Sequence, residues 1–301
     1  MSTPEFATIG LIAHQYSERA VYSLQRLIRF LQNQQRAYIL EEETARLLTD
    51  PALASAARQT VTLAALGQNT DLIIVVGGDG SMLGGARALV DSGVPLLGVN
   101  RGRLGFLTDI LPDDIETKVG EVLAGHYLAE DRFLLDVSIS QKGHNQDTGS
   151  ALNDVVLHPG EFIRMLEFEI YVDEHFVTSQ RADGIIVSTP TGSTAYALSG
   201  GGPILHPRLD AIGLVPMNPH TLSSRPIVVP GNSDIRILVG EHGIANSQVS
   251  CDGQLHLLAR PGCEILIRKK SKLLHLIHPK DHNFYERCRS KLGWGGHLLD
   301  R

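Results

Sequence analysis

Cysteine is scarce in this chain. Its 301 residues include three, Cys251, Cys263 and Cys288, and no two of them form a C-x-x-C pair. Such a set supplies neither a disulfide framework nor a structural zinc site. Small buried hydrophobes with reduced thiols, in a cytoplasmic protein, fit it best. Positive charge is short as well: 27 Lys and Arg stand against 33 Asp and Glu, a formal net charge of −6. A net acidic chain has no global pull toward nucleic acid or an anionic membrane, although a local basic pocket for phosphates stays open to it. No stretch approaches ~18 uninterrupted apolar residues, and no basic segment at the N-terminus leads into a long apolar run. The expectation is a soluble, cytoplasmic protein, neither secreted nor membrane-spanning.

Internal repeats and low-complexity tracts are missing too. So are two nucleotide-binding fingerprints, Gly-x-Gly-x-x-Gly and Gly-x4-Gly-Lys-Ser/Thr, which removes support from the ordinary dinucleotide-cofactor and Walker modes. No His-Glu-x-x-His or similar spacing marks a metal site. His158, Arg164, His206 and His278 are isolated, and a lone histidine is more often structural than catalytic.

Apolar residues make up 43% of the chain, enough for one large domain or two modest ones. The first third alternates strands and helices. Residues 7–13 form an apolar run, and Ser17 can cap the helix that follows. Ala20, Val21, Leu24, Leu27, Ile28 and Leu31 then fall on one helical face. A short strand is expected at 37–40, and helical pieces over 44–67 with an interruption at Pro51. The run 71–76 is apolar after its first residue, as a parallel strand buried on both faces requires. A helix over 82–90 and a strand over 94–99 complete a β-α-β rhythm that implies a doubly wound parallel sheet.

Near Phe133 the pattern changes to short strands, expected at 134–139, 151–157, 165–172, 175–179, 184–188, 227–229, 234–239, 247–251, 264–268 and 273–277. Asp173-Glu174 reads as a hairpin turn. The fold class is therefore an α/β N-terminal domain with a doubly wound parallel sheet, plus a β-rich C-terminal domain. The expected division is 1–125, 126–278 and a tail, 279–301, that is helical in character and for which a return to the first domain stays open.

Chemistry concentrates in three places. An apolar strand runs into Gly77-Gly78-Asp79-Gly80, at the strand end where open α/β sheets bind ligands. Glycines let the backbone approach phosphates, and the helix that follows favours anions at its start. A carboxylate there repels phosphate, so Asp79 makes sense as a metal partner or as a base beside a reacting hydroxyl. Asn153-Asp154 offers a donor, and acceptors suited to a ribose diol or a base edge. Arg181-Ala182-Asp183-Gly184 is followed by Ser188 to Pro203, the densest run of Ser, Thr and Gly in the chain, whose hydroxyls and bare amides suit phosphate or ribose. Tyr196 in that run can stack on a base or fill a gap.

Taken in order, these segments resemble the NAD kinase family from about residue 71 to 278. The elements are Gly77-Gly78-Asp79-Gly80, then Asn100-Arg-Gly-Arg-Leu104-Gly105-Phe106-Leu107, then Asn153-Asp154. Asp183-Gly184 follows with Thr189-Pro-Thr-Gly-Ser-Thr-Ala-Tyr196, then Gly200-Gly-Gly-Pro203, and lastly Asp252-Gly253-Gln254. The glycine-aspartate turn is shared with lipid kinases and phosphofructokinases, whereas the Thr189 to Tyr196 run is far more specific. The resemblance implies an ATP-dependent phosphotransferase acting on an alcohol, with the γ-phosphoryl group moving to the 2′-hydroxyl of the adenosine ribose of NAD to give NADP. It implies a divalent cation, magnesium with ATP, and a homo-oligomer, dimer or tetramer, with neither nucleic acid nor membrane as partner. Carried over by motif, Asp79 is the proton acceptor and Gly80 lets the dinucleotide lie against the turn. Asn153 and Asp154 hold nicotinamide ribose or adenine groups. Arg164, Arg181, Asp183, Thr194, Ala195, Tyr196, Ala197, Leu198, Ser199 and Gln254 complete the pocket. Many members carry Glu where Asp154 stands, so the charge here is withdrawn by one methylene. Two other readings use parts of the same pattern: a lipid kinase, which would want an apolar acceptor cavity, and an NAD(H)- or NADP(H)-sensing module, which needs no base.

Overall fold

The computed structural model describes residues 6–13, 18–48, 50–102, 105–141, 143–160, 165–241 and 247–294. Ser17, the expected helix cap, lies outside them. The chain divides into two compact units, Met1–Asp131 with Leu274–Arg301, and Arg132–Leu273.

The first unit is α/β. Strand β1 (Thr8–Ile12) precedes helix α1 (Glu18–Asn33), in which Ala20, Leu24, Leu27, Ile28 and Leu31 are buried, as their spacing predicts. Val21 is only half-buried. Strand β2 (Ala37–Glu41) ends on Glu41, which caps α2 (Glu42–Arg46) by accepting from the amides of Glu43 and Thr44. Pro51 starts a helix: it sits in the first turn of α3 (Pro51–Ser55), capped by Asp50. The stretch expected to be helical also contains a three-residue strand, β3 (Gln59–Val61), ahead of α4 (Leu63–Leu66). Strand β4 (Leu72–Val76), buried at every position, is followed by α5 (Asp79–Leu89), β5 (Leu96–Val99) and α6 (Ile115–Leu123).

Pairing in this unit is parallel, in the order β3, β2, β1, β4, β5. Ile74 and Val76 share a core with Leu24, Leu27 and Ile28 of α1 and with Val119 and Val122 of α6. Val75, which points the other way, lies beside Gly85 of α5, where an added Cβ would meet its Cγ2 at 3.5 Å. Both faces are thus covered, and the strand order reverses between β1 and β4. That reversal opens a crevice at the carboxyl ends of the two strands, where Gly77 and Gly78 stand.

The second unit is built on β6 (Tyr127–Gln141), β7 (His144–Ala151), β8 (Asp154–His158), β9 (Leu166–Val172), β10 (His175–Ala182), β11 (Gly184–Ser188), the one-turn α7 (Tyr196–Ser199), β12 (Ala211–Met217), β13 (Ile227–Pro230), β14 (Ile235–Val239), β15 (Ser247–Cys251), β16 (Leu255–Ala259) and β17 (Glu264–Pro279). An antiparallel sheet runs in the order β13, β12, β11, β8, β15, β16. Strands β10, β9, β14 and β17 pair antiparallel in a second group, with β6 on β17 and β7 on β6. One core joins Val155, Leu157, Ile185 and Val187 of the first group to Phe168, Ile170, Ile237 and Ile265 of the second, as packed sheets do. Asp173 and Glu174 both take positive φ, 49° and 63°, the conformation of a two-residue hairpin turn.

Two expected strands, 264–268 and 273–277, are one continuous strand, β17. The expected strand 151–157 is divided, because the chain bends at Leu152 and Asn153. At its far end β17 returns to the first unit: Leu276 and Ile277 pair in parallel with Leu96 and Leu97. Helix α8 (Phe284–Leu292) follows, with Asn283 accepting from the amides of Tyr285 and Glu286.

Candidate functional site

Each unit carries a cavity of its own that gathers residues singled out from the sequence. In the first, a recess of about 390 Å³ is lined by Arg19, Gly78, Asp79, Asn100, Arg101, Gly105 and Lys291. Helix α5 begins at Asp79 itself, three residues earlier than the sequence pattern suggests, so the aspartate occupies the first helical turn. Its carboxylate is fixed from the far side. Oδ2 accepts the amide of Phe106 at 2.9 Å, Oδ1 accepts that of Leu107 at 3.0 Å, and the Thr108 hydroxyl stands 3.4 Å from Oδ1. An ionised carboxylate has about four lone-pair positions, so both oxygens retain capacity toward the recess.

The segment that supplies these donors is itself anchored. Asn100 donates to the Thr108 hydroxyl at 2.7 Å and accepts from the Gly102 amide at 2.9 Å. Asp109, nearly fully buried, binds Nδ1 of His278, Nδ1 of His282 at 2.9 Å and Nη2 of Arg287 at 3.2 Å. The two imidazoles stack with centroids 4.0 Å apart. Burial alone pushes the Asp109 carboxyl up, yet the hydrogen bonds and attraction of the two imidazoles hold it well below the ordinary carboxylate range. His278, one of the isolated histidines of the sequence, is thus a buried anchor for the segment that orients Asp79.

In the second unit, a cavity of about 610 Å³ lies on the face of β8 turned away from the main core. The period of 2 along β8 explains it: Val155 and Leu157 enter the core, while Asp154, Val156 and His158 line the cavity. Asn153, Asp183, Ala195, Tyr196, Met217, Ser250 and Asp252 share the lining. Below them Val156, Ile186, Ala197 and Val215 form a small apolar floor.

Asp252 shapes this cavity. It takes φ of +53°, and its carboxylate accepts the amides of Leu152 at 3.1 Å, Asn153 at 2.7 Å and Asp154 at 3.3 Å. These bonds divide the strand expected over 151–157. On the other side, the Thr189 hydroxyl donates to the Leu152 carbonyl at 2.6 Å, and the Thr189 amide to the Asn153 carbonyl at 2.9 Å. Gly192 passes so close that a Cβ there would lie 2.1 Å from the Asn153 oxygen. The Asp154 carboxyl is pushed up to about 7, first by burial and then by the neighbouring charge of Asp252. His158 is pushed down by burial and by His256.

Of the residues singled out from sequence, Asn153, Asp154, Asp183, Ala195 and Tyr196 meet at the second-unit cavity, and Asp79 lines the first-unit recess. Ala197 lies in the floor. Thr194 and Leu198 are half-buried in the same turn and helix, and Ser199 is exposed. Gly80 is exposed in the first turn of α5. Arg181 lies on β10, exposed, with Glu167 3.6 Å away, and its side chain does not line the cavity. Gln254 is exposed in the turn from β15 to β16, where its backbone N–H donates to the Cys251 carbonyl at 3.0 Å. Arg164, Arg103 and Leu104 lie outside the described residues. Asp252 and Asp109 carry structural roles that sequence reasoning did not give them. The signal for Asp252 was its place in Asp252-Gly253-Gln254; for Asp109 there was none.

A doubly wound sheet with a carboxylate at its reversal point, in a chain whose second unit holds a cavity of nucleotide size, has the features of a nucleotide-handling protein. Residues 9–127 match the ATP-NAD kinase N-terminal domain, and residues 152–279 the ATP-NAD kinase C-terminal domain. An NAD kinase of Cellvibrio japonicus is 66% identical over 98% of this chain and 98% of its own. One from Teredinibacter turnerae is 58% identical over 97% and 98%. Among solved structures, yeast NADH kinase complexed with NADH aligns with a TM-score of 0.87 at 25% identity, covering 99% of this chain and 90% of the yeast chain. An NAD kinase from Archaeoglobus fulgidus in complex with ATP aligns with a TM-score of 0.74 at 25% identity, covering 96% and 100%. The chain belongs to the NAD kinase family.

Proposed function

We propose a division of labour by which this chain makes NADP from NAD and ATP. The reaction moves the γ-phosphoryl group of ATP to the 2′-hydroxyl of the adenosine ribose of NAD. The observation that carries our reading is the Asp79 carboxylate, fixed by the amides of Phe106 and Leu107 in a recess whose other charged lining residues are cations. As the 2′-oxygen attacks phosphorus in line, the bond from phosphorus to the bridging oxygen breaks, ADP leaves, and Asp79 takes the hydroxyl proton. A rigid base loses nothing to reorientation at that moment, and such a base contributes ~10²–10⁴-fold. The remaining catalysis is positioning and charge neutralisation.

The second-unit cavity is assigned to the dinucleotide. Asn153 and Asp154 are given ribose hydroxyls or base edges, with Asp183 and the Thr194 to Ser199 segment completing the contacts. Tyr196, half-exposed at the cavity, is given a base to stack on. Arg164, Arg181 and Gln254 keep their family roles as part of this proposal. For the cation, the donor set fits: Asp79 offers carboxylate oxygen, and magnesium usually takes one or two carboxylates together with phosphate oxygens and water. When bound, the ion neutralises charge on the transferring phosphoryl group.

Among the described residues no helix is long and apolar enough to cross a membrane. We assign the protein to the cytoplasm and, following the family, to a dimer or tetramer, which its mass in solution checks. Incubation with ATP, magnesium and NAD tests the function. NADP is the expected product, and binding of NAD without turnover would favour a sensing module instead.

A further inference from the structure

We propose that Arg19, Arg101 and Lys291 form a subsite for the triphosphate chain of the phosphoryl donor, an inference that rests on the kinase reading above. The recess around Asp79 gathers three cations against one carboxylate, in a chain whose formal net charge is −6. Cations concentrated against the sign of the whole molecule point to an anionic ligand. They also come from three separate stretches of chain. Arg19 stands in the first turn of α1 after β1, Arg101 follows β5, and Lys291 is in the last turn of α8. The strand reversal between β1 and β4 brings the first of these beside the Gly77-Gly78 turn.

Geometry narrows the ligand. Arg101 Nη2 lies 3.7 Å from where a Cβ on Gly78 would stand, so the guanidinium overhangs a bare stretch of backbone. Gly78 is the N-cap of the 11-residue α5 and has no side-chain cap of its own, which leaves the helix start to an external acceptor. Arg19 Nη1 lies 3.6 Å from the corresponding point on Gly102. Guanidinium groups suit bidentate phosphate contacts, and a lysine acts as a point charge on the same ligand. The volume, about 390 Å³, is within the range of small-molecule sites. A lysine in the last turn of a helix also favours the helix dipole without any ligand, so the test must separate donor binding from stability.

Steady-state kinetics on the full chain, with magnesium-ATP and NAD varied separately, make that separation. Lys291→Ala and Arg19→Ala should each raise the KM for ATP, roughly tenfold for a lost charge-assisted contact, with the KM for NAD within about twofold and the melting temperature little changed. Lys291→Arg should recover most of the loss. Inorganic tripolyphosphate should compete with ATP, and calorimetry should show it binding the parent protein but not the double variant. An unchanged KM for ATP, or a rise confined to the KM for NAD, overturns the proposal. Should the parent protein fail to make NADP, the kinase reading fails. The calorimetry still decides the subsite: loss of tripolyphosphate binding in the double variant supports it, and retained or absent binding overturns it.

Discussion

Asp79 Oδ2 accepts the amide proton of Phe106 at 2.9 Å, and this bond makes the aspartate a fixed group. A base held this way cannot be replaced by its amide without a second cost. In Asp79→Asn the side-chain NH2 faces a backbone N–H that needs an acceptor. Turnover should fall ~10²–10⁴-fold, and unfolding should become easier by about 1–3 kcal/mol, the cost of a buried donor left unmade. NAD binding should persist. Near-normal kcat in this variant would remove Asp79 from the role of base.

Gly105 offers a subtler change. A Cβ there would stand 1.9 Å from Asp79 Oδ1 and 2.6 Å from the Thr108 hydroxyl, so Gly105→Ala must displace the carboxylate without removing it. A displacement near 1 Å costs on the order of 10²-fold in rate. We expect kcat to drop with the KM for NAD unchanged, in a protein that stays folded. Full activity in the alanine variant would mean that the carboxylate need not sit where it does.

Acid and base should act on Asp154 in a predictable direction. Its carboxyl is pushed up to about 7 from an ordinary 3.8. Between those values the folded protein keeps a proton that the unfolded chain has lost. Stability from this group is therefore full below the ordinary value and falls as pH rises through the window toward 7. Denaturant midpoints of the ligand-free protein at pH 5 and pH 8, compared with those of Asp154→Asn, should show a pH-dependent loss in the parent that the variant lacks. Parallel curves would sink this account. Asp154→Ala should also weaken NAD binding by ~1.5–3 kcal/mol if the carboxylate holds a ribose hydroxyl.

Asp252 reaches the same cavity through the backbone. Its carboxylate holds the amides of Leu152, Asn153 and Asp154, so Asp252→Ala frees the bend that presents Asn153. The expected result is a KM for NAD raised about tenfold with a smaller change in kcat, and a stability loss of roughly 1–3 kcal/mol. The variant should also lower the Asp154 carboxyl, since a like charge is removed. An unchanged KM would show that the Thr189 contacts hold the bend by themselves.

How much of this was legible in the sequence depends on range. The buried strand at 72–76 and the helix face of Leu24, Leu27, Ile28 and Leu31 follow from local periodicity, and the structure has both. Strands 184–188 and 247–251 fall where the short strand-like segments put them. Gln59–Val61, by contrast, is three residues long and largely exposed, too short to show a period. Strands Ala211–Met217 and Leu255–Ala259 carry no alternation clear of their surroundings. The bend at Leu152 and Asn153 was invisible because its cause, Asp252, is about a hundred residues away. Asp109 was missed for the same reason: its partners His278, His282 and Arg287 lie near the other end of the chain. The Thr189 to Tyr196 run was legible by composition, but not its contact with the Asn153 carbonyl.

The return of β17 to β5 has a bearing on biosynthesis. Residues up to 131 leave the ribosome first, yet the strand that covers the β5 edge is translated after residue 273. Until then that edge presents unpaired backbone groups at Leu96 and Leu97 to any neighbouring chain, and the anchor residues for Asp109 have not been made. An N-terminal unit that folds as it emerges must therefore wait, open on one side, until the residues after 273 have been made. Ribosome-stalled chains ending before Leu274 should be the ones that recruit chaperones.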